Sequence, residues 1–140
     1  MPLKSVIKML ILFLTGGLIY FALEMLFRGR SHWTMIVVGG ICFLICGGIN
    51  EIFTWEMPLI WQGIISALII TIIELIAGCI INIQMNLNVW DYSDLPFNLY
   101  GQICLLFSLL WGLLGMVAVV VDDYLRYYFW KEKKPYYKII

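Results

Sequence analysis

Residues 58–83 read PLIWQGIISALIITIIELIAGCIINI. A water-soluble helix of that length carries a polar face opposite its apolar stripe, and here polar residues are too few to make one. The run is too long for a strand and long enough to cross a bilayer, which takes about 20 predominantly apolar residues. One acid, Glu74, stands inside it. The fold and the candidate chemistry both start from this segment.

Outward from it lie three more segments of the same kind, at 6–27, 35–52 and 99–121. Short breaks, RGRSHW and NEIFTWEMP, separate the first three. A longer one, NVWDYSDLPFNLYGQ at 88–102, precedes the last. The expected fold is all-α: an integral membrane protein with four transmembrane helices in a compact bundle over residues 1–121. A basic, aromatic tail at 122–140 follows it.

Composition points the same way. The chain has 140 residues, a mean hydropathy of +0.94 and 13% charged residues, where a soluble domain carries about 25%. The surplus apolar material must face lipid. A formal net charge of +0 offers nothing to nucleic acid. Lys4 and Lys8 before an apolar run resemble a secretory leader, but no small-x-small cleavage site follows Leu23, so an uncleaved first span is expected.

Cys42, Cys46, Cys79 and Cys104 all sit in apolar segments, where free cysteine packs as a small hydrophobe. His32 stands alone, so no Ser–His or Cys–His pair and no zinc cluster is legible. The chain is expected not to be an enzyme and to need no metal or cofactor.

An even number of spans puts both termini on one side. That side collects Lys4, Lys8, Arg126, Lys131, Lys133, Lys134 and Lys138, against Arg28 and Arg30 on the other. By the positive-inside rule both termini are cytoplasmic, in a multi-pass protein of the cell membrane. The aromatic tail then suits a helix lying along the headgroups.

The 88–102 stretch faces outward on this topology. Trp90, Tyr92 and Tyr100 fit an interfacial aromatic belt. Asp91, Ser93 and Asp94 suit a turn that Pro96 ends, and Asn98 is placed to cap the fourth span. A second reading makes Trp90, Asp91, Tyr92, Ser93 and Asn98 an external turn or lid over a cavity.

YFALE in the first span, IIELIAG in the third and NVWDYSDLPFNLYGQICLLFSLLW together resemble the CmpB-like family of ABC-transporter type IV permeases. They are also similar to vertebrate four-span proteins with the same WDYS turn. The resemblance covers most of the chain and implies four spans and a transport-related role. It implies no particular binding residues. The chain has no GxxxxGK[ST] phosphate loop, so an energising ATPase would be a separate partner.

Glu74 lies roughly 24 Å from one end of its span and 13 Å from the other. An acid at that depth costs several kcal/mol unless protonated, paired or hydrated, and such residues commonly mark ion or proton pathways. Gly78 and Asn82 follow at four-residue steps, on one helix face with Thr71 close by. Glu24 occupies a comparable place in the first span, with Arg28 one turn on to pair with it. Glu74, Asn82, Glu24 and Arg28 are therefore the candidate ligand or ion pathway.

Small residues at Gly39, Gly40, Gly47 and Gly48, and again at Gly101, Ser108, Gly112 and Gly115, suit close helix packing within one chain or between copies. The leading expectation is a transport or channel component for a small solute or ion, with a homo-oligomer, a separate ATPase or another membrane protein as partners beside the lipid bilayer. The alternative is a non-transporting scaffold or regulatory subunit that binds membrane proteins or lipids.

Overall fold

The computed structural model describes residues 2–49 and 57–137. Its helices are α1 (Leu3–Arg28), α2 (Trp33–Gly47), α3 (Leu59–Gly78) and α4 (Leu105–Trp130). A π-helical turn, Cys79–Gln84, prolongs α3, and two short strands, β1 (Asn98–Leu99) and β2 (Ile103–Cys104), precede α4. Three of these units, Leu3–Arg28, Leu59–Gln84 and Leu105–Trp130, are long and apolar enough to cross a membrane. The fourth, Trp33–Gly47, is apolar but shorter, at 15 residues. Its expected end at 50–52 lies outside the described residues.

Which faces are buried argues for an apolar solvent. In α3 the buried residues are Gln62, Gly63, Ser66, Glu74 and Gly78. The outward ones are Ile60, Trp61, Ile64, Leu68, Ile72 and Ile76. A water-soluble helix does the reverse, turning its apolar stripe to the core. In lipid the inversion is natural, because only the bundle interior offers polar side chains a partner.

The helices form two hairpins, α1 on α2 and α3 on α4, with α2 also packed against α3 and α4. Glycines permit the close approach in both. A Cβ at Gly17 would clash with the Ile36 carbonyl oxygen, and one at Gly40 would lie 2.7 Å from that of Phe13. In the second hairpin Gly115 lies against Ser66, and Gly63 against Met116 and the Gly112 backbone. Thr71 Oγ1 and Ser108 Oγ add a hydrogen bond of 2.8 Å across that seam. Gly39 meets Tyr20, and Gly47 meets Asp122 of α4. These small-residue faces are therefore used within the chain.

Each helix end has a local cause. Gly29, at φ +72°, closes α1 by donating its amide to the Met25 carbonyl, a left-handed position that glycine adopts freely. The His32 ring accepts from the Thr34 amide at the start of α2. Pro58 precedes α3 in extended conformation.

Two boundaries differ from the expectation. The fourth helix begins at Leu105, not at residue 99, and Asn98 does not cap it. Asn98 instead accepts from the Gly101 amide and donates to the Leu95 carbonyl. That clamp, with Gly101 at φ +69°, makes a tight hairpin in which Asn98 pairs with Cys104 and Leu99 with Ile103.

At its other end α4 continues past Val121 to Trp130, as one helix rather than a separate one lying flat. Asp122 and Arg126 form an ion pair of 2.8 Å one turn apart, which lets the buried face carry charge without a break. Lys8 of α1 pairs with Glu132 just beyond α4, so the two ends of the described chain meet at one end of the bundle. Lys138, counted in the charge asymmetry, lies outside the described residues.

Candidate functional site

At the opposite end of the bundle the 85–104 connection folds inward over the helices. Its frame is a set of side-chain-to-backbone bonds. Asn82, buried in the π-helical turn, accepts from the Val89 amide at 2.7 Å and donates to Gln102 Oε1 at 2.8 Å. Gln102 passes the link on by donating to the Tyr100 carbonyl at 2.9 Å. Trp90 is buried, and its indole donates to the Gln102 carbonyl at 2.9 Å.

Asp91 takes bonds from both the amide and the hydroxyl of Ser93. Those bonds hold its exposed carboxyl below the usual carboxylate range. The Tyr92 amide donates to the Gly101 carbonyl at 2.7 Å.

This scaffold aims Tyr92 into the bundle. Its hydroxyl donates to Glu74 Oε1 at 2.7 Å, while Trp111 Nε1 of α4 donates to Glu74 Oε2 at 2.8 Å. Phe107, one turn before Trp111, stacks on the Tyr92 ring with centroids 4.8 Å apart. Tyr20 of α1 meets Trp111 edge-on at 6.0 Å. Burial, and then the Glu74 carboxylate, push the Tyr92 hydroxyl well above the ordinary phenol range, so it stays a neutral donor. Both oxygens of the Glu74 carboxyl are thus held by neutral donors.

Glu24 and Arg28 pair as the spacing implied, at 2.6 Å, and Arg28 also donates to the Val89 carbonyl at 2.9 Å. The pair thereby ties the end of α1 to the inward-folded connection.

Of the sequence-derived candidates, Glu74 and Tyr92 meet directly. Asn82 and Trp90 hold the scaffold beneath them. Asp91, Ser93 and Asn98 are exposed, and their side chains bond within the turn itself. Trp90 and Tyr92 turn inward and so are not belt residues; Tyr100 remains exposed. The reason is hydrogen bonding: the indole and the phenol each find a buried acceptor, which the interface would have supplied only as water.

Trp111, Gln102 and Tyr20 were not legible as site residues. The one available signal was a tryptophan in the middle of a span, a residue whose N–H needs a partner when buried.

Beside this cluster a cavity of about 140 Å³ lies between the two hairpins, lined by Tyr20, Gly39, Cys42, Glu74, Trp111 and Val121 among others. Nearly all of its wall is apolar. Among the described residues no three metal-ligating side chains come together.

The family described as “Putative ABC-transporter type IV” matches residues 3–140, and the chain belongs to it. No curated protein and no solved structure matches the chain.

Proposed function

We propose that this member of the ABC-transporter type IV family is the membrane-embedded part of a transport system for a small solute or ion. Glu74 is its exchange site and the Trp90–Ser93 turn its lid. Membership of the family and the apolar helices support a membrane, transport-related role. The observation that carries the finer reading is Glu74 itself. It is buried beside a cavity, and the partners given to its carboxylate are neutral donors, Tyr92 and Trp111. Among the described residues a carboxylate so held has no basic partner such as Glu24 has in Arg28, and a proton or a transported cation can supply one.

Energy would come from a separate ATPase, since the chain has no phosphate loop of its own. Both termini are cytoplasmic in this reading, as the lysine and arginine asymmetry supports. The turn carrying Asp91 and Ser93 is then external.

Flux in liposomes holding the purified protein, together with any co-purifying ATPase, tests the exchange site. Glu74→Gln keeps the shape and removes the titratable charge, so transport should fall at least tenfold while the protein still inserts. Unchanged flux in that variant would remove Glu74 from the pathway. Topology is tested separately in sealed cells, with an impermeant thiol reagent on cysteines introduced at Ser93 and Lys133. The first should label from outside and the second should not, and the opposite pattern reverses the orientation.

A further inference from the structure

The shape of the cavity says more about its occupant than the carboxylate does alone. Its lining on α2 runs from Met35 to Cys46, a helical rise of roughly 16 Å. With a volume of about 140 Å³, it is long and narrow rather than round. An engineered cavity of about 150 Å³ holds benzene, so the space suits an apolar group of about six carbons.

Polarity along it is uneven. At the level of Glu74 stand the rings of Tyr20, Trp90 and Trp111, whereas the far end is bounded by Cys46, Val117 and Val121. One end thus offers a carboxylate among aromatic faces, and the other a mostly aliphatic wall that also takes in Phe43 and Cys46.

From this we infer that the site takes an alkylammonium ion, its cationic head at Glu74 and its chain lying along the aliphatic end. A small hard metal ion needs about six oxygen ligands to replace its water, and Glu74 with the Tyr20 hydroxyl falls far short. A substituted ammonium carries its own apolar shell and is attracted both by the carboxylate and by aromatic faces. A plain hydrocarbon or lipid tail would make no use of the Glu74 carboxyl at one end of the cavity. The inference deepens the reading of Glu74 as an exchange site and rests on it.

Binding to the full-length protein in nanodiscs tests the inference, measured by titration calorimetry with protein-free nanodiscs subtracted. The probes are hexylammonium, hexanol and tetramethylammonium. Hexylammonium should bind saturably and at least tenfold more tightly than either of the others. Glu74→Gln should abolish its advantage over hexanol. Ala118→Phe, which fills the aliphatic end without touching Glu74, should weaken it at least tenfold. Comparing the three probes on the unaltered protein keeps the test decisive if either variant misfolds.

Equal binding of hexanol overturns the inference in favour of a lipid-tail pocket. Equal binding of tetramethylammonium overturns it in favour of a small-cation site. Flux that depends on Glu74 without saturable alkylammonium binding also overturns it, while leaving the transport reading standing. Saturable, Glu74-dependent binding without any flux supports it and counts against that reading instead.

Discussion

Glu24 and Glu74 are two buried acids on the leading helices of two hairpins, and the chain treats them in opposite ways. Glu24 meets Arg28 one turn away, and that guanidinium reaches on to the Val89 carbonyl. Glu74 meets a phenol and an indole from two other parts of the chain. The first arrangement closes the charge within one helix turn. The second leaves a carboxylate positioned by neutral groups beside a cavity. Similar local sequence therefore yields a structural ion pair in one place and an open acceptor in the other, and what decides is the next helical turn.

Four measurements break or sharpen that contrast. The largest effect should come from Asn82→Leu. It strips the Val89 amide and Gln102 of buried partners and loosens the scaffold that aims Tyr92 at Glu74. At about 1–3 kcal/mol for each buried group left unsatisfied, a loss of about 2–4 kcal/mol is expected in denaturant unfolding in micelles, with Tyr92 released. Stability within experimental scatter of the parent would mean that Glu74 needs no scaffold.

Next come the acids themselves. Glu74→Gln should cost flux tenfold or more and little stability, because the amide oxygen still accepts one of the two donors. Glu24→Gln should do the reverse, leaving flux within about twofold. Its unfolding cost is about 1 kcal/mol, since Arg28 is more than a third exposed and water screens much of the pair. If both variants behave alike, the two acids are not different in kind.

Acid titration gives the smallest effect. The Asp91 carboxyl is held below its ordinary range by Ser93, so it is depressed in the folded loop relative to the unfolded chain. Its contribution is present above about pH 4, the unfolded value, and fades as pH falls through the folded one. Protection of the Ser93 amide, followed by NMR, should weaken over that acid range in the parent. In Asp91→Asn it should not change with pH.

The apolar helices were legible because long, uniformly apolar runs are broken by short polar stretches. The Glu24–Arg28 pair was legible because its partners are one turn apart. The donors to Glu74 were not, since Tyr92 and Trp111 lie 18 and 37 residues further along the chain. Only packing of the second hairpin brings them together.

Trp90 and Tyr92 were misread for a related reason. Composition gives an aromatic residue near a span end the same score whether its polar tip meets water or a buried acceptor. Asn98 illustrates the competition between a cap and a turn, which Gly101 three residues later settled for the turn. The end of the fourth helix was missed because charge alone marked a boundary, whereas Asp122 and Arg126 neutralise one another on the helix.

The π-helical turn at Cys79–Gln84 gives the outer end of α3 slack in its register. Such a turn holds about one residue more than the same length of α-helix requires. Removing one residue between Cys79 and Ile81 can be absorbed by winding the turn down to ordinary α geometry, with the connection beyond it kept nearly in place. Removing one residue between Ile70 and Ile73 has no such reserve. It turns the rest of α3 by about 100° around its own axis relative to α4, so Glu74 leaves the face that meets Trp111. A one-residue deletion should therefore be survivable on one side of Gly78 and ruinous on the other.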